Sequence, residues 1–108
     1  MSRYLIVDSR DIQEYTGGAY IMNLTGKLRQ KKHDVTLFLI ENGVLAARKG
    51  SRSAAKLGEL SKGGTKVLAE DISCKARGVA VLADGVASGT MDQLADLIVD
   101  GSDKVIWY

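Results

Sequence analysis

The sequence predicts an α/β fold: a mainly parallel five-stranded sheet with helices on both faces. Three observations predict it. Five short apolar runs are spread along the chain, each four to six residues long. They are nearly continuous rather than alternating, as in strands covered on both faces. Between them, apolar residues recur at spacings of three and four. Strand alternating with helix implies parallel pairing through right-handed crossovers.

The elements follow in order. Tyr4-Leu5-Ile6-Val7 reads as a buried strand ending at Asp8. Residues 15–31 read as a helix in which Ile21, Leu24 and Leu28 share a face, with Gly17-Gly18 at its start. Val35 to Ile40 is the strongest strand, rich in β-branched and large apolar residues. A short turn at 43–48 precedes a second helix over 51–61, marked by Ala54, Leu57 and Leu60. Lys66 to Ala69 is the third strand and Val79 to Leu82 the fourth. A helix over 91–100 presents Met91, Leu94, Ala95 and Ile98 as one stripe. Thr90 and Gln93 have capping-box spacing, and Gly101 suits the position after the last turn. Lys104 to Trp107 is the fifth strand. The chain has no proline, so glycine supplies all of its punctuation.

Composition sets the bounds. At 108 residues one domain, 1–108, is expected. A net charge of +2 gives no reason to expect nucleic acid as a partner. Its basic clusters, 26–32 and 48–56, read as solvated faces before they read as an anion-binding rim. The longest strongly apolar run is about six residues, against roughly 20 for a bilayer span, so no membrane partner is expected. The start, MSRYLIVD, has no signal-peptide pattern. One cysteine forms no intrachain disulfide, and one Cys with one His builds no zinc site. A cytoplasmic protein with a reduced thiol, no metal and no cofactor is expected.

In an open parallel sheet, ligands bind beyond the carboxyl ends of the strands. That rule selects Asp8, Glu41-Asn42-Gly43, Glu70 to Cys74, and Ala83-Asp84-Gly85. The single thiol, Cys74, is on this list. Asp71 or Ser73 at the cap of a short helix running to about Arg77 would put Cys74 in its first turn. Free amides there, with Lys75 and Arg77 nearby, favour an anion and lower a thiol's pKa. Glu70 and Asp71 oppose this. An inert, buried cysteine is the alternative, and local sequence leaves the two open. His33 precedes a strand at the far end of the sheet, which excludes a Cys–His pair within one subunit. A phospho-receiver is excluded because only one acid, Asp8, follows the first strand and Lys104 opens the last. Gly17-Gly18 fits neither dinucleotide nor P-loop spacing.

The order of these pieces resembles the DsrE/DsrF-like family of sulfur-relay proteins. The resemblance rests on HDVTLFLIENGV (33–44), a lone Cys followed by KARGV (75–79), a helix, and the closing GSDKVIWY (101–108). It runs over nearly the whole chain. It implies a three-layer α/β/α sandwich and a persulfide carried on Cys74, received from a donor protein and passed to an acceptor. It matches Asn42 and Gly43 to a turn near the cysteine and implies a homo-oligomer, trimer or hexamer. Asp8, Asn42, Gly43, Ser73, Lys75 and Arg77 are the expected substrate-binding or anion-stabilising set around Cys74. A sulfurtransferase acting as a persulfide carrier is the first reading. A non-catalytic structural subunit or small-ligand-binding module is the second.

Overall fold

The computed structural model describes residues 1–14 and 17–108; Tyr15 and Thr16, which the expected first helix includes, lie outside the described residues. In chain order the elements are β1 (Arg3–Asp8), α1 (Gly17–Gln30), β2 (Asp34–Leu39), a 3₁₀ helix (Glu41–Ala47), α2 (Ala54–Lys62), β3 (Lys66–Glu70) and α3 (Asp71–Ala76). They continue as β4 (Val86–Gly89), α4 (Met91–Asp96), a π-helical turn (Leu97–Gly101) and β5 (Lys104–Trp107). The strands form one sheet in the order β4-β3-β2-β1-β5, with every pairing parallel.

This order decides which face each helix covers. From β1 to β4 the chain advances in one direction across the sheet. Right-handed crossovers then place α1, α2 and the 3₁₀ helix on a single face. Here Ile6, Val35, Leu37, Leu39, Val67 and Ala69 pack with Ile21, Met22, Val44 and Leu57. The step from β4 to β5 reverses direction, so α4 falls on the opposite face. There Leu5, Val7, Phe38 and Ile40 meet Leu94, with Leu68 and Leu97 half-buried beside them. That one connection must cross from edge strand to edge strand, about 19 Å at ordinary strand spacing. The second helical layer is therefore thin.

The thinness corrects the expected stripe on the last helix. Leu94 is buried and Leu97 packs beside it, but Met91, Ala95 and Ile98 face outward. A single short helix followed by a π turn presents one inward ridge to the sheet. The expected capping box is present: Thr90 Oγ1 accepts from Gln93 N, and Gln93 Oε1 accepts from Thr90 N.

The fourth strand also differs. Val79 to Leu82 is not a strand of the sheet; β4 is Val86–Gly89, registered with Val67–Glu70. After α3 the chain stands at the carboxyl end of β3. It must return to the amino end before it can run parallel again. Residues 79–85 make that return, held by Lys49 N donating to Val81 O (2.9 Å) and Ala83 N to Ala47 O (2.8 Å). Val79 and Ala83 are buried by this docking, which accounts for an apolar run without a sheet partner. Ala83-Asp84-Gly85 therefore precede β4, at the sheet edge opposite Cys74, with Gly85 turning at φ +87°. His33 lies at that amino edge too, half-buried, its Nδ1 accepting from Ser2 N at 3.1 Å.

Candidate functional site

The junction from β3 to α3 begins at Glu70. Its backbone stays extended while its buried carboxylate turns back over the helix start. Oε2 accepts from Ile72 N (2.7 Å), and Oε1 accepts from Ser73 N (3.0 Å) and Ser73 Oγ (2.6 Å). Glu70 is thus the N-cap, one residue ahead of the expected Asp71 and three ahead of the alternative, Ser73. At the other end, Cys74 O accepts from Arg77 N (3.1 Å) and Val79 N (2.9 Å). Gly78 closes the turn at φ +67°, a left-handed conformation that glycine adopts without strain.

Cys74 is 7% exposed and packs at the rim of the larger core. It also lines a hollow of about 440 Å³ with Asp71, Lys75, Gly78, Val79, Leu82 and Ser88. Its electrostatics reverse the expectation of a steadied thiolate. Burial pushes the thiol above its ordinary value, and the charges of Glu70 and Asp71 push it further. The two first-turn amides expected to steady an anion are occupied by Glu70. The surroundings of Cys74 therefore favour the thiol over the thiolate. For Glu70, burial alone raises the carboxyl's pKa. The bonds from Ser73 Oγ, Ile72 N and Ser73 N outweigh that and hold it below the usual range.

The other expected residues divide into three groups. Lys75 lines the Cys74 hollow. Ser73, Asn42 and Arg77 form a tie between α3 and the 3₁₀ helix. Ser73 Oγ accepts from Glu41 N (2.9 Å), Arg77 Nε donates to Asn42 Oδ1 (2.8 Å), and Arg77 Nη2 meets Glu41 Oε2 at 3.2 Å. Arg77 is thereby directed at Asn42 and Glu41, and the charged residues that line the hollow with Cys74 are Lys75 and Asp71, of opposite sign. Asp8 and Gly43 form a third group in the interior, with Gly43 packed against the Asp8 carbonyl. Glu41 makes this approach possible by leaving β2 at φ +51°, a sharp exit that drops Gly43 onto the end of β1.

Ser88, on the relocated β4, lines the hollow and escaped the sequence reading, whereas Glu41, already among the residues at the carboxyl edge, takes the Arg77 ion pair. The spacing of Glu70 to Ser73 is that of a capping box with its residues reversed, Glu at the cap and Ser at the third helical position, so the usual Ser/Thr-x-x-Glu pattern does not reveal it. A larger hollow, about 550 Å³, runs beside α2 past Ala54, Gly58, Lys62 and Asp84. Its lining holds no thiol, so the smaller hollow is the candidate site. Among the described residues no group of three or more His, Cys, Asp or Glu could hold a metal ion. Nor is any helix among them long and apolar enough to cross a membrane.

Comparison with known proteins adds to this geometry. The model of the DsrE/DsrF-like family matches residues 2–108. The chain is similar in structure to the YchN protein of E. coli, with a TM-score of 0.87 and 24% identity over 100% of each chain. It is also similar to MTH1491, a protein of unknown function from Methanobacterium thermoautotrophicum, with a TM-score of 0.78 and 16% identity over 100% of each chain. At these identities the two structures speak to the fold. No curated protein shows significant similarity to the chain.

Proposed function

The chain belongs to the DsrE/DsrF-like family, and on that premise we propose that it is a sulfur-relay carrier holding sulfane sulfur as a persulfide on Cys74. The observation that carries this reading is that the chain's one thiol lines an open hollow at the carboxyl edge of the sheet. In the reaction the Cys74 thiolate attacks the outer sulfur of a donor persulfide. The new S–S bond forms as the donor's S–S bond breaks, and the donor leaves as a thiolate that takes up the proton Cys74 released. An acceptor thiolate then attacks the outer sulfur and regenerates Cys74. Two sulfur partners, a donor and an acceptor protein, are required, and the chemistry needs no metal and no second cysteine. Lys75 and Ser88 at the hollow are the groups positioned to meet the outer sulfur. Residues 1–108 act as one domain, in the cytoplasm where thiols stay reduced, and assemble as a homo-oligomer, trimer or hexamer.

Because burial and the carboxylates of Glu70 and Asp71 hold the thiol's pKa up, loading is expected to accelerate as pH rises through the alkaline range. The burial and raised pKa of the same thiol favour a second reading, an inert core cysteine in a non-catalytic subunit. Intact-mass measurement after incubation with polysulfide separates the two. The carrier gains one or more sulfur atoms and the Cys74→Ser variant gains none. An unchanged mass, with Cys74 also unreactive to an alkylating agent in the folded protein, leaves only the second reading.

A further inference from the structure

The face of the sheet opposite α1 and α2 is incompletely covered. Val105 and Trp107 stand in register with Leu5 and Val7, so they lie on the same face as the residues that α4 buries. Yet Trp107 is 56% exposed, and on the π turn Val99 is 75% exposed. Met91 and Ile98, on the same helical segment as Val99, are exposed as well. Large apolar side chains gathered on one side of a small domain mark an interaction surface.

Charge identifies what covers it. Asp92, Asp96 and Asp100, all exposed, recur every four residues along this helical segment. From residue 78 to the end the chain carries one cation, Lys104. Residues 27–66 instead hold ten of the fifteen Lys and Arg, against three of the thirteen acids. Two identical acidic faces repel each other, which disfavours pairing of this face with itself. The opposite face of the molecule is complementary. The seam between α1 and α2 holds two hollows, about 250 and 280 Å³, with Lys56 lining both. Gly26, Leu60 and Met22 contribute their apolar lining, and Arg29 and Arg52 add positive charge that, with Lys56, outnumbers the one acid there, Glu59. An exposed Tyr20 lies on α1 as well.

We infer that the α4 and π-turn segment of one copy seats in the α1–α2 seam of the next, with Ile98 and Val99 over the hollows and the aspartates against Arg52 and Lys56. The contact is head-to-tail, because the two surfaces lie on opposite faces of the sheet. Such a contact closes into a ring when its rotation permits. The inference rests on the self-association proposed above and assigns the surfaces that make it.

Charge exchange followed by light scattering tests it. Wild type is expected at a discrete multiple of its 11.6 kDa chain mass at micromolar concentration. D96K/D100K and R52E/K56E are each expected at the single-chain mass, and the quadruple variant at the wild-type mass. V99K, which alters only an exposed side chain, is expected at the single-chain mass with the circular dichroism spectrum of the wild-type fold. A wild type that is itself a single chain overturns the self-association and this inference together. A wild-type assembly that R52E/K56E leaves intact overturns the head-to-tail contact alone.

Discussion

Gly43→Ala is expected to cost about 3 kcal/mol of stability, a drop in melting temperature of about 12 °C or more for a domain of this size. The methyl group would overlap the carbonyl oxygen of Asp8 and stand 3.1 Å from its Oδ2. The same carbonyl accepts from Ile40 N at 2.9 Å, so β1 and the start of the 3₁₀ helix are locked together at this point. Relief requires a backbone shift in one of the two, and the sheet fixes β1 on both sides. Gly26→Ala is the control. Its methyl would sit 3.7 Å from Leu60 Cδ2, an ordinary contact, within the body of α1. There alanine is the better helix former, and an unchanged or higher melting temperature is expected. Calorimetry of the pair decides the point. Equal melting temperatures for Gly43→Ala and wild type would contradict the packing described.

Glu70→Gln should have two opposed effects. The amide keeps one acceptor oxygen but turns an NH₂ group towards a nest of donors. About 2–3 kcal/mol of stability should be lost, since charge-assisted bonds at a buried cap are removed. The loss depends on pH. The Glu70 carboxyl is held below its ordinary value in the folded protein. Its contribution is therefore present above the unfolded carboxyl pKa and disappears as pH falls through the folded one. Wild type and variant should converge in stability on acidification through that range. Cys74 responds in the other direction. Removing a neighbouring negative charge brings the thiol down towards its ordinary value, so alkylation at pH 8 should be severalfold faster than in wild type. A variant that is less stable but no more reactive would show that Glu70 caps α3 without acting on the thiol.

Sequence patterning revealed most of the fold, for identifiable reasons. β2 is fully apolar from Val35 to Leu39 apart from Thr36, and buried throughout that stretch. The capping box at Thr90 is a local signal with a local cause. β4 was hidden because the most apolar run in its region, Val79 to Leu82, is used to return the chain to the amino edge. The strand proper, Val86-Ala87-Ser88-Gly89, is short, exposed at Ala87 and Ser88, and weak in strand-forming residues beyond Val86. Which of the two pairs with β3 depends on α3 being only six residues long, a tertiary fact. The outward turn of Met91 and Ile98 was hidden likewise, since apolar periodicity does not distinguish a buried stripe from one awaiting a partner. Within the site, the placing of Cys74 was legible from the rule on carboxyl ends. Its charge environment was not, because no pattern fixes which way the Glu70 side chain turns.

Transfer of the sulfur onward tests the central claim most directly. Protein loaded with polysulfide, freed of small molecules and mixed with a small-molecule thiol acceptor should lose its added sulfur, measured by intact mass. The acceptor should gain sulfane sulfur in equal amount, and Cys74→Ser should deliver none. Loaded protein that keeps its added mass, or that yields sulfane sulfur equally well with Ser at position 74, would contradict the account.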